Sequence, residues 1–183
     1  MYNFSKDEFG RILEKTKSTI LYKKIPSDTI TPVLASLKIS QALPEKDNHN
    51  FLLESAEKGN NKGRFSVIGL MPDLLWKCDG EKSFINEDFE NNPADFRAQE
   101  GDVIANLRKL VNETKIDWEN LNYANGPLPE VCGGIFGYLS YDMVRLMEDV
   151  PNKNLPDDLQ IPDSVFMRPQ ILVIFDNLFD CAL

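Results

Sequence analysis

Phe51-Leu-Leu-Glu-Ser-Ala-Glu-Lys-Gly-Asn-Asn-Lys-Gly-Arg-Phe-Ser-Val-Ile-Gly69 is the stretch on which the architecture turns. Apolar and aromatic residues alternate with polar ones from Phe51 to Ser55 and again from Arg64 to Leu70, the period of a half-buried strand. The connection from Glu57 to Gly63 is polar and carries two glycines, so the stretch reads as a hairpin. Its first strand ends on a carboxylate and a hydroxyl, Glu54 and Ser55, directly after Leu52 and Leu53, which demand burial. A buried carboxylate is costly unless it is paired. Glu54 therefore either faces water at a strand end or receives a cation, with Ser55 and Ser66 beside it as hydrogen-bonding groups.

Downstream, Asp73 to Cys78 and Ser83 to Asn86 read as two further strands of a meander, joined at Asp79-Gly80, a dipeptide suited to a tight turn. Glu87 to Glu100 is polar around Asn91-Asn92-Pro93 and reads as a surface connection. From Gly101 the period becomes helical, with Val103, Leu107, Leu110 and Val111 on one face and Ile104 beside them, predicting a helix packed on the sheet. Asn120 to Glu130 is a turn-rich loop. In Cys132-Gly-Gly-Ile-Phe-Gly-Tyr-Leu-Ser-Tyr-Asp142 there is neither Gly-Lys-Ser/Thr nor the dinucleotide spacing. Its glycines read as a bend, a bulge or a close approach of another backbone. Asp142 to Asp149 reads as helical, with Asp142 and Arg145 one turn apart and able to pair. Ile171 to Phe175 reads as a strand buried on both faces.

Upstream, Ser5 and Glu8 form a capping box for a helix reaching to about Lys17, with Phe4 and Phe9 as a hydrophobic staple. Ile20 to Ile25 alternates as a strand. Thr31 caps a second helix with Pro32 at its first position, and Val33, Leu37 and Leu34 form its expected buried stripe. Leu37, Leu52, Val67, Leu107, Phe136 and Val173 are the expected core. Meandering strands with interspersed helices and no βαβ alternation give an α+β fold with antiparallel sheets, expected as a single domain over residues 1–183.

A formal net charge of −9 argues against sequence-independent binding to nucleic acid or to an anionic membrane, both of which need a basic face. Three cysteines, far apart and without Cys-x-x-Cys spacing, read as free thiols of a reducing compartment. The single histidine, His49, sits in a polar turn, and no paired carboxylates or nucleophile elbow stand out. The longest apolar run, Ile171 to Phe175, is far below the roughly 20 residues of a membrane span. With no apolar leader at its start, a cytoplasmic protein is expected. The stretch Asn177 to Leu183 is too apolar for a frayed tail, which suggests a piece of a larger protein.

Four motifs occur in order: Asp28-Thr-x-Thr-Pro-Val33, Leu52-Leu-Glu-Ser55 with Gly63-Arg-Phe-Ser-x-Ile-Gly69, Gly133-Gly-x-x-Gly-Tyr-x-x-Tyr-Asp142-x-Val-Arg145, and Pro162-Asp-x-x-Phe-Met167. Together they resemble the amino-terminal region of anthranilate synthase component I, of the chorismate-utilising enzymes. The resemblance implies a sandwich of antiparallel sheets with packed helices, serving as a regulatory domain, with the carboxy-terminal chorismate-binding catalytic domain absent from this chain. It implies a lyase of tryptophan biosynthesis that converts chorismate and ammonia to anthranilate and pyruvate. Mg²⁺ would be bound by the absent half, and ammonia would come from glutamine through a glutamine amidotransferase subunit, component II. L-Tryptophan would be the feedback inhibitor, bound near the Glu-Ser element. The implied tryptophan-binding residues are Glu54 for the ammonium, Ser55 and Ser66 as hydrogen-bonding groups, Arg64 or Lys62 for the carboxylate, and Pro32 as a contact. No catalytic or metal-binding residue is expected in this chain. Aminodeoxychorismate synthase component I, of the folate pathway, and a free-standing amino-acid-binding module are the alternatives.

Overall fold

A computed structural model describes residues 2–15, 18–44, 49–55, 63–116, 122–123, 126–151 and 158–183. Helix α1 (Lys6–Leu13) begins as its capping box requires: Ser5 Oγ accepts from the Glu8 amide at 3.3 Å, and the Glu8 carboxylate accepts from the Ser5 amide at 2.9 Å. The Ser5 hydroxyl, and secondarily its amide, hold the Glu8 carboxyl below its ordinary value. The helix stops at Leu13, short of the expected end at Lys17, which lies outside the described residues. The strand expected over Ile20 to Ile25 reduces to β1 (Ile25–Pro26) and one bridge between Tyr2 and Lys23. Ile20 and Tyr22 pack instead with Phe4 around Leu128 and Cys181.

Helix α2 (Pro32–Ala42) is capped as expected, with Thr31 Oγ1 accepting from the Leu34 amide at 3.2 Å. Its buried side is not the expected one. Val33, Leu34 and Leu37 are exposed, Leu37 to 56%, while Ala35 is buried and Ile39 packs beside it. Apolar residues stand all round this helix, so periodicity alone leaves its inner side undecided. The small Ala35 is the side chain that permits a close approach to the sheet.

The central hairpin is present. Strand β2 (Phe51–Leu53) pairs antiparallel with the start of β3 (Phe65–Asp79) in the register Phe51↔Gly69, Leu52↔Ile68, Leu53↔Val67. The two strands expected over Arg64 to Cys78 are one, with Met71 in the left-handed region (φ 50) where the sequence suggests a break. The turn to β4 (Lys82–Asn86) is Gly80-Glu81, one residue later than expected, and Gly80 (φ 56) occupies the first central position, where a type II′ turn needs glycine. Most of Glu87 to Glu100 is turn and surface, but Arg97–Gln99 forms β5 on β4. After α3 (Val103–Glu113) come a ribbon of β6 (Asn122–Tyr123) and β7 (Gly126–Pro127), then β8 (Phe136–Leu139), β9 (Ser164–Asp176) and β10 (Cys181–Ala182). The order in the eight-stranded sheet is β1-β10-β9-β3-β4-β5, with β2 also on β3 and β8 also on β9. The strand pairs β1–β10, β10–β9, β2–β3, β3–β4, β4–β5 and β8–β9 are antiparallel, and the α+β expectation holds.

The chain forms two compact units. In the first (Met1–Met71, Lys115–Gly134, Gln170–Leu183), Ala35, Ile68, Leu70, Phe175 and Ala182 form one cluster with Leu52 and Val173. Leu128 and Cys181 anchor another. Cys181 and Ala182 are consecutive strand residues, so the two clusters occupy opposite faces of the sheet. In the second unit (Pro72–Thr114, Ile135–Pro169), Leu74, Trp76, Cys78, Val103, Leu110 and Met143 form the core, with Leu107 packed against it. The Trp76 indole N–H donates to Gln99 at 2.8 Å, and Asn106 of α3 donates to Ser83 of β4 at 3.0 Å. Val67 and Phe136 are buried as expected. Ile171, expected to be buried on both sides, is exposed, and continuous burial in β9 begins only at Ile174. The pairing expected one turn apart is present, with Arg145 Nε donating to Asp142 at 2.9 Å.

Candidate functional site

The hairpin end lies in the first unit. Glu54 follows Leu53, and Ser66 precedes its partner Val67, so the two extend the ladder by one position. Strand alternation places them on the face that carries Leu52 and Ile68, the face that α2 covers through Ala35 and Ile39. Ser66 is buried, whereas Glu54 and Ser55 are exposed. Among the described residues Glu54 has neither a hydrogen bond nor an ion pair. Helix α2 packs against β2, and the Asn50 side chain donates to Ser40 of that helix at 3.2 Å. Pro32, half-buried, opens the same helix.

Ser55 is seated on Gly63. A Cβ at Gly63 would fall 1.6 Å from Ser55 Oγ and 2.1 Å from its Cβ, so a glycine is needed for the strands to close here. Arg64 is committed elsewhere. Its Nε and Nη2 donate to the two carboxylate oxygens of Asp176 at 3.3 and 3.0 Å, and its guanidinium lies over Phe65 at 4.6 Å. The Asp176 side chain is 0% exposed and that of Arg64 is 44% exposed. Asp176 alternates with Phe175 and so sits on the opposite face from Ser66. The structure thus brings Glu54, Ser66 and the helix of Pro32 to one face, and it ties Arg64 to an internal carboxylate. Lys62, the other candidate cation, lies outside the described residues. Asp176 and its neighbours were not expected here, because nothing local in Asp176-Asn-Leu-Phe-Asp180 signals a partner 112 residues away.

Two of the thiols are held in the protonated form. Burial pushes the Cys78 thiol from 9.0 up to about 11, helped by Asp163 and Asp79, and pushes Cys132 up to about 12. Both folded values are raised, so the unfolded chain loses its thiol protons first. The stabilisation is complete below pH 9.0 and is lost as pH rises through 11 and 12. The melting temperature is expected to fall progressively above pH 9.0, and more gently in a Cys132→Ser variant. An unchanged slope in that variant would count against the Cys132 environment.

Fold and site describe an α+β protein with an antiparallel sheet and, at a hairpin end, a carboxylate without a partner among the described residues. No protein-family model matches the chain. Curated relatives do. The chain is 37% identical over 172 residues to anthranilate synthase component 1 of Cereibacter sphaeroides, covering 94% of this chain and 32% of that protein. It is 32% identical over 159 residues to the Saccharomyces cerevisiae protein of the same name, covering 87% and 27%. It is 31% identical over 176 residues to that of Aquifex aeolicus, covering 96% and 33%. Among solved structures, anthranilate synthase component I of Streptococcus pneumoniae is similar with a TM-score of 0.46 at 20% identity, covering 86% of this chain and 29% of that one. The chain is homologous to the amino-terminal region of anthranilate synthase component I. It spans about a third of the length of the curated relatives it matches.

Proposed function

We propose that this chain is the effector-binding part of an anthranilate synthase component I and that its ligand is L-tryptophan, acting as a feedback inhibitor. The observation that carries this reading is Glu54, without a partner among the described residues, beside the buried Ser66 on the face covered by α2. An exposed carboxylate next to an apolar face suits an amino acid with an aromatic side chain. The α-ammonium would meet Glu54, the hydroxyls of Ser55 and Ser66 would hydrogen-bond beside it, and Pro32 would border the indole. With Arg64 spent on Asp176, Lys62 is the remaining sequence candidate for the α-carboxylate.

The whole enzyme would convert chorismate and ammonia to anthranilate and pyruvate, with ammonia supplied from glutamine by an amidotransferase subunit. Among the described residues no three His, Cys, Asp or Glu side chains come together to hold a metal ion. The Mg²⁺ of such an enzyme would be bound by the part of the protein outside this chain. Tryptophan and chorismate would weaken each other's binding equally, because linkage is reciprocal. Among the described residues no helix is long and apolar enough to cross a membrane.

Isothermal titration of L-tryptophan into the chain tests the proposal. Saturable one-site binding is expected. Because Glu54 is exposed, Glu54→Gln should leave the fold intact and weaken binding by about tenfold, the value of one charge-assisted hydrogen bond. Absence of binding by the unaltered chain would overturn the reading.

A further inference from the structure

We propose that the turn Asn177–Asp180, between β9 and β10, frames the effector site and that Asn177 is its positioning residue. The inference rests on the tryptophan reading for its ligand and on four hydrogen bonds for its geometry. The Asn177 side-chain amide donates to the Gly63 carbonyl at 2.8 Å, and its backbone N–H donates to the Arg64 carbonyl, also at 2.8 Å. At the other end of the turn, the Asp180 carbonyl accepts the Ser27 N–H at 3.1 Å, and the Ser27 carbonyl accepts the Ile30 N–H at 3.2 Å. Two motifs that are separate in sequence, the one leading to Thr31 and Pro32 and the one running from Gly63 to Ser66, are thereby fastened to the same four residues.

The fastening reaches the ligand-facing groups through contacts already described. Gly63 lies directly against Ser55, so the bond from Asn177 to the Gly63 carbonyl sets where the Ser55 hydroxyl stands. Asp176, immediately before the turn, accepts from the Leu178 N–H at 3.1 Å as well as from Arg64, which keeps the turn in register with Gly63 and Arg64. Asp180 itself is in the left-handed region (φ 45), which a turn without these ties would abandon readily. A binding element held in place before the ligand arrives avoids the ordering cost at binding. Removing the Asn177 amide frees the Gly63 carbonyl to turn to water and lets Ser55 move with it.

Asn177 is exposed and belongs to no hydrophobic cluster, so substituting it tests position rather than folding. In Asn177→Ala and Asn177→Asp, neither of which retains the amide donor, tryptophan affinity is expected to fall by about tenfold, as when one buried-carbonyl bond is lost. The melting temperature should move by no more than about 2 °C. In the ligand-free proteins the backbone amide resonances of Ser55 and Gly63 should shift, while that of the Trp76 indole stays. Unchanged Ser55 and Gly63 resonances overturn the framing whether or not tryptophan binds. Unchanged affinity in Asn177→Asp, with the unaltered chain binding, overturns it as well. If the unaltered chain does not bind tryptophan but the two resonances shift, the tryptophan reading falls while the turn remains the frame of the Glu54–Ser55 element.

Discussion

Gly137→Ala is expected to lower the melting temperature by about 6–12 °C, the equivalent of about 3 kcal/mol. A Cβ at Gly137 would lie 1.8 Å from the Val165 carbonyl oxygen and 2.8 Å from Phe166 Cα, both backbone atoms of β9. A side chain in the way can turn aside, but a ladder strand cannot. Gly137 is paired with Phe166 in the β8–β9 register, so relief requires the two strands to part and to give up bonds along the ladder. Gly10→Ala provides the contrast: nothing lies within 4 Å of the added methyl, and the position is helical in α1. There alanine should stabilise by up to about 1 kcal/mol through helix propensity. Thermal unfolding followed by circular dichroism measures both. A Gly137→Ala protein that melts with the unaltered chain would mean that β8 does not approach β9 as described.

The second large effect concerns Arg64 and Asp176, and it is asymmetric. Among the described residues, Arg64→Ala leaves the fully buried Asp176 carboxylate with only the Leu178 N–H as a donor, and an uncompensated buried charge costs about 2 to 4 kcal/mol after allowance for the half-exposed partner. Asp176→Asn leaves Arg64 able to reach water and keeps an oxygen for Leu178, so its cost is about 1 kcal/mol. In the Asp176→Asn background, removing Arg64 should then cost little, and a double-mutant cycle in urea denaturation gives the coupling directly. Equal costs for the two single variants would show that the carboxylate is not buried against the guanidinium. The pair between Asp73 of β3 and Arg168 of β9, bidentate with both distances at 2.8 Å, joins those strands in the second unit. Its side chains are both partly exposed, so it should contribute less.

How far the site could be read from the sequence differs from residue to residue. The hairpin of Glu54 and Ser66 was legible because strand alternation and a glycine-bearing polar connection are local signals, whereas its register, Phe51↔Gly69, is seen only in the structure. The caps at Ser5 and Thr31 were legible for the same reason. The role of Gly137 was legible only as a class, a glycine at a bend, a bulge or a close approach, and the neighbour that makes glycine necessary is on β9. The inner side of α2 differs from the expected one because Val33, Leu34 and Leu37 satisfy helical periodicity as well as Ala35 and Ile39 do. The resemblance offers Arg64 or Lys62 for a ligand carboxylate, while the Asp176 that Arg64 pairs with is too far along the chain for spacing rules to associate the two.

The sequence by itself determined the elements whose signals lie within a few residues: capped helices, alternating strands, the tight turn at Gly80, an antiparallel α+β class, and a set of motifs that resemble one enzyme family. Those depend on backbone dihedrals, caps and side-chain periods, which short-range sterics and hydrogen bonds decide. Tertiary structure alone decided which side of α2 is buried, which carboxylate holds Arg64, and that Asn177 and Asp180 fasten two distant motifs to one turn. Each of these depends on groups brought together across the sheet, where burial makes a partner obligatory but leaves its identity to the packing.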